Sequence, residues 1–267
     1  MPCRPAVSSM SLGRACAHDL LENLQQAVNQ GFKGLELFYE DLETFAAQSS
    51  GGASCHNILR RSPQIISLQP FRFYEGVLDE AEHNRLVYDE VHFWFEICHI
   101  LHTGMILIPS NFLPPDPETG EPRTTGNRRV IISDPRQATD LGLAQSPPIR
   151  FSYEALAWGN NVDTWEQSWD IVRRVDRPNF GLCLDTFNIA AWVYADPASA
   201  SGMTYNGEKE PQRALARLRQ TVDMKRVFLF QVVGGERLKA PLVMGHEWYV
   251  TKQPSRMSWS RNAGLFC

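Results

Sequence analysis

The sequence has little that would suit a membrane-spanning, secreted or nucleic-acid-binding protein. None of its apolar runs approaches the roughly 18 uncharged residues of a membrane span. Its six cysteines, at positions 3, 16, 55, 98, 183 and 267, form no C-x-x-C pair, and its first residues do not resemble a secretion signal. With 26 Lys and Arg against 30 Asp and Glu, it has no basic excess for a phosphate backbone. We therefore expect a reduced, cytoplasmic protein with neither membrane nor nucleic acid as partner.

The composition is that of an ordinary globular protein. Hydrophobic residues make up 43% of the 267 residues and charged residues 21%, with 18 Gly and 17 Pro. These values exclude collagen, a coiled coil and wholesale disorder. The length allows one α/β barrel or two smaller domains, and either buries a core large enough to fold without disulfides.

Short apolar runs alternate with longer amphipathic segments along the chain. The apolar runs predict strands over residues 6–12, 34–39, 65–70, 105–110, 149–156, 180–187 and 227–233. Helical spacing and capping signals predict helices over residues 18–30, 80–102, 164–174 and 211–222. Strands that alternate with helices imply a parallel sheet with right-handed crossovers. We therefore expect an α/β protein with a (β/α)8 TIM barrel.

Two stretches do not fit a complete barrel. Residues 48–63 are short for a crossover between the second and third strands and carry little helix signal, so we expect a helix to be missing there. The last residues, 264–267, resemble the beginning of an eighth strand with no helix after it. The expected barrel is therefore incomplete at its eighth strand and helix.

Three polar residues, Glu154, Asp185 and Gln231, lie in or close apolar runs that would line such a barrel. The chemistry of TIM barrels takes place at the carboxyl ends of the strands. A carboxylate buried there must be paired, hydrogen-bonded or metal-bound. Three oxygen ligands suit a hard divalent cation such as Mg²⁺ or Mn²⁺. The alternative is an ordinary polar rim, with Asp185 capping a helix and Glu154 paired to Arg72 or Arg150.

Three further residues are candidates for substrate binding or proton transfer. Arg72 follows the third predicted strand and could bind a substrate carboxylate with two hydrogen bonds, or form a surface salt bridge instead. His102 is a candidate catalyst near the end of a long predicted helix, where a packed or solvent-facing histidine is the commoner case. Ser260 lies before the presumed eighth strand, where substrate-contacting loops are common, and is either a binding residue or part of the loop structure.

Longer stretches around these positions carry a family resemblance that spans nearly the whole chain. They include Gly31-Phe-Lys-Gly-Leu-Glu-Leu-Phe-Tyr-Glu-Asp-Leu, Ser146-Pro-Pro-Ile-Arg-Phe-Ser-Tyr-Glu-Ala-Leu-Ala-Trp-Gly, Arg177-Pro-Asn-Phe-Gly-Leu-Cys-Leu-Asp-Thr-Phe-Asn-Ile-Ala and Arg256-Met-Ser-Trp-Ser-Arg-Asn. In these stretches the chain resembles the fungal 3-dehydroshikimate dehydratases of quinate catabolism, in the xylose isomerase-like TIM-barrel superfamily. The resemblance implies a single domain of this type over residues 1–267, shortened at its C-terminus.

The resemblance also implies a reaction and its site. The expected enzyme is a lyase that dehydrates the small molecule 3-dehydroshikimate to protocatechuate at a divalent metal. Glu154, Asp185 and Gln231 are then the metal ligands, and Arg72 and Ser260 contact the substrate. The base is left open between His102, the candidate catalytic residue, and a solvent molecule. A homo-oligomer is compatible with the sequence.

Differences from the family leave two alternatives open. This chain has Asn161 where the family has His, Gly264 where it has Arg, and it ends before the Glu that supplies a fourth ligand. The chain could thus be an inactive member of the family, or a sugar isomerase or epimerase on the same scaffold. Sugar epimerases typically have a His two or three residues after the Asp185 position, where this chain has Asn188.

Overall fold

The computed structural model describes residues 5–13, 18–48, 58 and 64–266. The strands in these ranges are β1 (Ala6–Ser8), β2 (Gly34–Phe38), β3 (Gln64–Gln69), β4 (Met105–Pro109), β5 (Arg150–Glu154), β6 (Phe180–Asp185), β7 (Val227–Gln231), β8 (Val233–Gly235) and β9 (Gly264–Phe266). The α-helices there are α1 (Leu20–Asn29), α2 (Tyr39–Gln48), α3 (Glu80–Asn84), α4 (Val91–Ile100), α5 (Arg128–Leu143), α6 (Trp165–Val175), α7 (Thr186–Val193), α8 (Glu210–Thr221) and α9 (Ser255–Ala263). A π-helical segment, Arg85–Glu90, connects α3 to α4.

Within the described ranges, seven strands form one sheet in the chain order β1 to β7. The β1–β2, β2–β3, β3–β4 and β6–β7 pairs are parallel. Strands β4 and β6 are buried along their whole length, as is typical of parallel strands covered on both faces. The predicted alternation of strands and helices around a parallel sheet is therefore confirmed.

The chain divides into two compact units. The first comprises Met1–Phe71, Glu80–Ile108 and Gln137–Phe151, and the second comprises Arg72–Asp79, Pro109–Arg136 and Ser152–Cys267. In the first unit, α1 begins after Asp19, whose side chain accepts a hydrogen bond from the Glu22 backbone N–H at 3.2 Å. Its buried residues Leu20, Leu24 and Ala27 recur at helical spacing, so one face of α1 joins the core.

The second unit has an apolar core around α7 and the C-terminal segment. Phe187 of α7 contacts Trp259 of α9 with ring centroids 4.6 Å apart, and the Trp259 indole N–H donates to the Glu236 carbonyl at 2.8 Å. A Cβ atom on Gly235 would lie 2.5 Å from the Trp259 ring, so only glycine fits at this point of β8. The C-terminal segment is thereby fixed to the helix that begins just after Asp185.

Several helices differ from the prediction, which also lacks α7 and α9. The α2 helix lies between β2 and β3, so the expectation of a missing helix was wrong; Glu40 and Asp41 in its first turn stabilise it. Most of residues 48–63 lie outside the described residues. The helix predicted over residues 80–102 is interrupted by the π-helical segment. The sequence pattern does not predict α5, because Pro135 inside it is ordinarily a helix breaker.

The end of the described chain forms a strand outside the main sheet. The expected strand at residues 264–267 is present as β9, but it pairs antiparallel with β8, with Gly264 opposite Gly235. Cys267 itself lies outside the described residues. In the described part of the chain, Cys98 and Cys183 are buried and form no disulfide. No helix among these residues is long and apolar enough to cross a membrane.

Candidate active site

Asp185 is the last residue of β6 and the N-cap of α7. Its Oδ1 atom accepts a hydrogen bond from the Asn188 backbone N–H at 2.7 Å, so the predicted capping role is confirmed. The side chain is buried, and burial raises the pKa of Asp185 to about 6, although backbone donors at Asn188 and Phe187 lower it. A cation beside this carboxylate would stabilise its charged form.

Gln231 ends β7 and is the register partner of Asp185. The two strands are parallel, and the pairing runs Leu184 with Phe230 and Asp185 with Gln231. Gln231 is half-buried. Two of the three predicted metal ligands therefore occupy matching positions at the carboxyl ends of neighbouring strands.

Glu154, the third predicted ligand, is tied to the first turn of α7 through Asn188. Glu154 ends β5 and is 6% exposed, and its Oε1 atom accepts a hydrogen bond from Asn188 Nδ2 at 2.8 Å. The amide oxygen of Asn188 in turn accepts from the Ala157 backbone N–H at 2.8 Å. Asn188 thus donates to both carboxylates, with its side chain to Glu154 and its backbone to Asp185.

The donor set of this site is two carboxylates and one amide. Within the described residues, no group of three or more His, Cys, Asp and Glu side chains is placed to hold a metal. The present set has two such side chains, Glu154 and Asp185, and its third member is an amide. Carboxylate and amide oxygens are, however, the ligands that Mg²⁺ and Mn²⁺ accept. The buried Asp185 and the Gln231 beside it in the sheet therefore fit a hard divalent cation.

Arg72 and Ser260 belong to the same unit as these ligands. Both side chains are half-buried, and Ser260 lies in α9 next to Arg261. Burial lowers the pKa of Arg261, and the positive charge of Arg72 lowers it further. Because two guanidinium groups influence each other here, an anion placed between them would relieve their repulsion. The charge of Arg72 thus acts on the α9 residue that follows Ser260.

His102 lies in the first unit, between α4 and β4. It is exposed, its backbone has a φ of 52°, and its backbone N–H donates to the His99 carbonyl at 3.3 Å. It precedes β4, whereas the carboxyl end of that strand is Pro109. His102 therefore stays a prediction as the catalytic base.

Glu75 is a buried acid that the sequence pattern does not single out. It is 3% exposed, and its Oε1 atom accepts hydrogen bonds from the Asn111 backbone N–H at 2.7 Å and from the Tyr153 hydroxyl at 2.9 Å. Burial raises its pKa from 4.5 to about 7. The available signal is an acid between Tyr74 and Gly76, within a mostly apolar stretch.

The chain matches the family model described as xylose isomerase-like TIM barrel over residues 24–246. It is also similar to the 3-dehydroshikimate dehydratase of Neurospora crassa, with 45% identity over 284 residues that cover 100% of this chain and 77% of that protein. The family resemblance inferred from the sequence is therefore confirmed.

Two solved structures share the fold. A fusion protein of a xylose isomerase-like TIM barrel and a 4-hydroxyphenylpyruvate dioxygenase has a TM-score of 0.69 and 23% identity, with 98% of this chain and 34% of that chain covered. The IolI protein with a bound zinc atom has a TM-score of 0.64 and 17% identity, with 90% of this chain and 76% of that chain covered. The model match, the Neurospora relative and these folds together show that the chain belongs to the xylose isomerase-like TIM barrel family.

Proposed function

We propose that this chain is a metal-dependent lyase that dehydrates 3-dehydroshikimate to protocatechuate in cytoplasmic quinate catabolism. The proposal depends mainly on one observation: Asp185 and Gln231 are register partners at the ends of two neighbouring parallel strands. Glu154 is joined to the first turn of α7, which Asp185 caps, by a hydrogen bond from Asn188. The Neurospora relative, named as a dehydratase, supports the choice of substrate.

Glu154, Asp185 and Gln231 would hold the cation, and their oxygen donors favour Mg²⁺ or Mn²⁺. A divalent cation bound there would polarise the ketone of the substrate and so make the adjacent C–H bond more acidic. The zinc of the IolI structure shows that a protein of this fold binds a divalent metal. In this chain Asn188 holds Glu154 and Asp185 in place by one hydrogen bond to each.

Arg72 would bind the carboxylate of the substrate. Its positive charge already lowers the pKa of Arg261, so an anion at this point is electrostatically favourable. Ser260 offers a hydroxyl one residue before Arg261. A base would then remove the proton next to the ketone. Return of this proton to the departing hydroxyl group would let it leave as water, and a shift of a second ring proton to the ketone oxygen would make the ring aromatic.

The test is the appearance of protocatechuate, which absorbs in the ultraviolet. The purified chain is freed of metal with a chelator and mixed with 3-dehydroshikimate, with and without Mg²⁺ or Mn²⁺. We expect product only with metal and none from Glu154→Gln. The control is Glu166→Gln, a change of the same chemistry at a side chain that is 41% exposed and pairs with Arg217.

Two outcomes would overturn the proposal. Folded wild-type chain that forms no protocatechuate with either metal would indicate an inactive member of the family. Turnover of a ketose sugar without any dehydration would indicate a sugar isomerase on this scaffold. Product formation by Glu154→Gln at the wild-type rate would remove Glu154 from the site.

A further inference from the structure

The loop Arg72–Asp79, which we term the Arg72 loop, is held by hydrogen bonds to the segment after β4. The Gly76 backbone N–H donates to Asp134 Oδ2 at 2.8 Å, and the Tyr74 hydroxyl donates to the Asp134 carbonyl at 2.8 Å. The Thr125 backbone N–H donates to the Gly76 carbonyl at 2.8 Å. The loop that carries Arg72 therefore has a defined position in the second unit.

Glu75, in the middle of this loop, is bonded to two other strand ends. Its Oε1 atom receives the Asn111 backbone N–H and the Tyr153 hydroxyl, at 2.7 and 2.9 Å. Its backbone carbonyl also accepts from Asn111 Nδ2 at 2.8 Å. Asn111 lies just past the end of β4, and Tyr153 directly precedes Glu154. The Glu75 side chain thus links the Arg72 loop to the end of β4 and to the end of β5.

The link continues through Ser110 to Glu154. The Ser110 backbone N–H donates to the Glu154 carbonyl at 2.7 Å, and its hydroxyl accepts from the Leu156 backbone N–H at 3.0 Å. Asn111 also accepts a hydrogen bond at its carbonyl, from the Asn160 backbone N–H at 2.7 Å. Glu154, Leu156 and Asn160 are therefore bonded to Ser110 and Asn111, and Asn111 in turn contacts Glu75.

A packing role alone does not explain an acid at position 75. Burying a carboxyl group costs free energy that an apolar side chain of similar size would not. The second carboxyl oxygen, Oε2, is buried without a hydrogen-bond partner among the described residues. At 3% exposure Glu75 lies beneath the surface. What the acid supplies is one oxygen that accepts from two strand ends at once.

We propose that Glu75 is a positioning residue, which fixes the Arg72 loop to the ends of β4 and β5 so that Arg72 and Glu154 keep a constant arrangement. Glu75 acts through these two residues and not on the substrate itself. The inference rests on the proposed function insofar as Arg72 and Glu154 are assigned to substrate and metal.

The kinetic test compares Glu75→Ala with Glu75→Gln. The amide oxygen of Gln can still accept from Asn111 and Tyr153, whereas Ala leaves both donors without a partner. We expect Glu75→Ala to raise KM for 3-dehydroshikimate by about tenfold or more, since small displacements of binding groups have such effects. Glu75→Gln should stay within about threefold of wild type. The matched control is again Glu166→Gln.

A merely structural role would give a different pattern. Loss of stability would lower the fraction of folded protein, and therefore the apparent kcat, while KM of the remaining folded protein stayed unchanged. An unchanged KM in folded Glu75→Ala would overturn the proposal. If Glu75→Ala does not fold, Tyr153→Phe removes one of the two donors and should raise KM by a smaller factor; an unchanged KM in that variant counts equally against it.

Hydrogen exchange tests the same inference without activity. In Glu75→Ala the amides of residues 72–79 and of Asn111 should exchange faster than in wild type, and Glu75→Gln should preserve their protection. Exchange unaltered by Glu75→Ala would overturn the proposal. If the wild-type chain forms no protocatechuate, the proposed function fails, and the exchange measurement still decides the role of Glu75.

Discussion

Replacing Glu75 by Gln should remove part of the pH dependence of folding. Burial is the largest cause that raises the pKa of Glu75, and the charge of Asp134 adds to it. The hydrogen bonds from Asn111 and Tyr153 act in the opposite direction. Gln has nearly the same shape and hydrogen-bonding oxygen but does not titrate. The difference between the two proteins therefore isolates the ionisation of this one group.

The direction in which the free energy of unfolding changes with pH follows from the protons bound in each state. The folded protein keeps the Glu75 proton up to about pH 7, whereas the unfolded chain releases it near pH 4.5. Between these values the unfolded state binds fewer protons, so the free energy of unfolding falls as the pH rises and levels off above pH 7. The pKa of Glu75 rises from 4.5 in the unfolded chain to about 7 in the folded protein. At about 1.4 kcal/mol for each pKa unit, the free energy of unfolding falls by about 3 kcal/mol.

Urea denaturation between about pH 5 and pH 8 measures the effect. In this interval the wild-type free energy of unfolding should fall by about 2–3 kcal/mol relative to Glu75→Gln. Glu166→Gln, changed at a partly exposed carboxylate, should follow the wild type. Parallel curves for wild type and Glu75→Gln would refute the reasoning, since Glu75 would then titrate alike in both states.

Three further changes have defined outcomes. Asp185→Asn should weaken Mn²⁺ binding, measured by calorimetric titration, by about tenfold or more; wild-type affinity would exclude Asp185 as a ligand. Trp259→Ala should lower the free energy of unfolding, measured by urea denaturation, by about 3–5 kcal/mol, because its contact with Phe187 at 4.6 Å is lost. A cost below about 1 kcal/mol, which is typical of a surface change, would contradict the core assignment. Thr164→Ala should cost about 1 kcal/mol by removing the α6 cap, and Thr164→Ser should restore it.

Local signals in the sequence were sufficient for some elements. The prediction of a helix over residues 164–174 is confirmed by α6, where the Thr164 hydroxyl accepts from the Gln167 backbone N–H and the Gln167 side chain accepts from Thr164. All the atoms of that cap lie within four residues, so the sequence shows them together. The α5 helix lacks such a signal, and Pro135 points against it.

For the candidate site, the sequence likewise predicts the positions of the side chains but not their partners. The apolar runs that end in Glu154, Asp185 and Gln231 place these residues at strand ends, because a run of buried residues marks a parallel strand. The partners of these side chains depend on the tertiary fold. Asn188 and Glu154 are 34 positions apart, and Tyr153 and Glu75 are 78 apart. No periodicity in the sequence connects residues at such separations.

The amide at position 188 has a consequence for how the site responds to acidity. Asn188 donates to Glu154 and accepts from the Ala157 backbone through a group that carries no charge at any physiological pH. An imidazole at this point would gain a proton near pH 6.5 and exchange an acceptor for a donor, which would break the contact with Ala157. The frame around the two carboxylates therefore keeps its geometry across the range in which Asp185 itself changes charge.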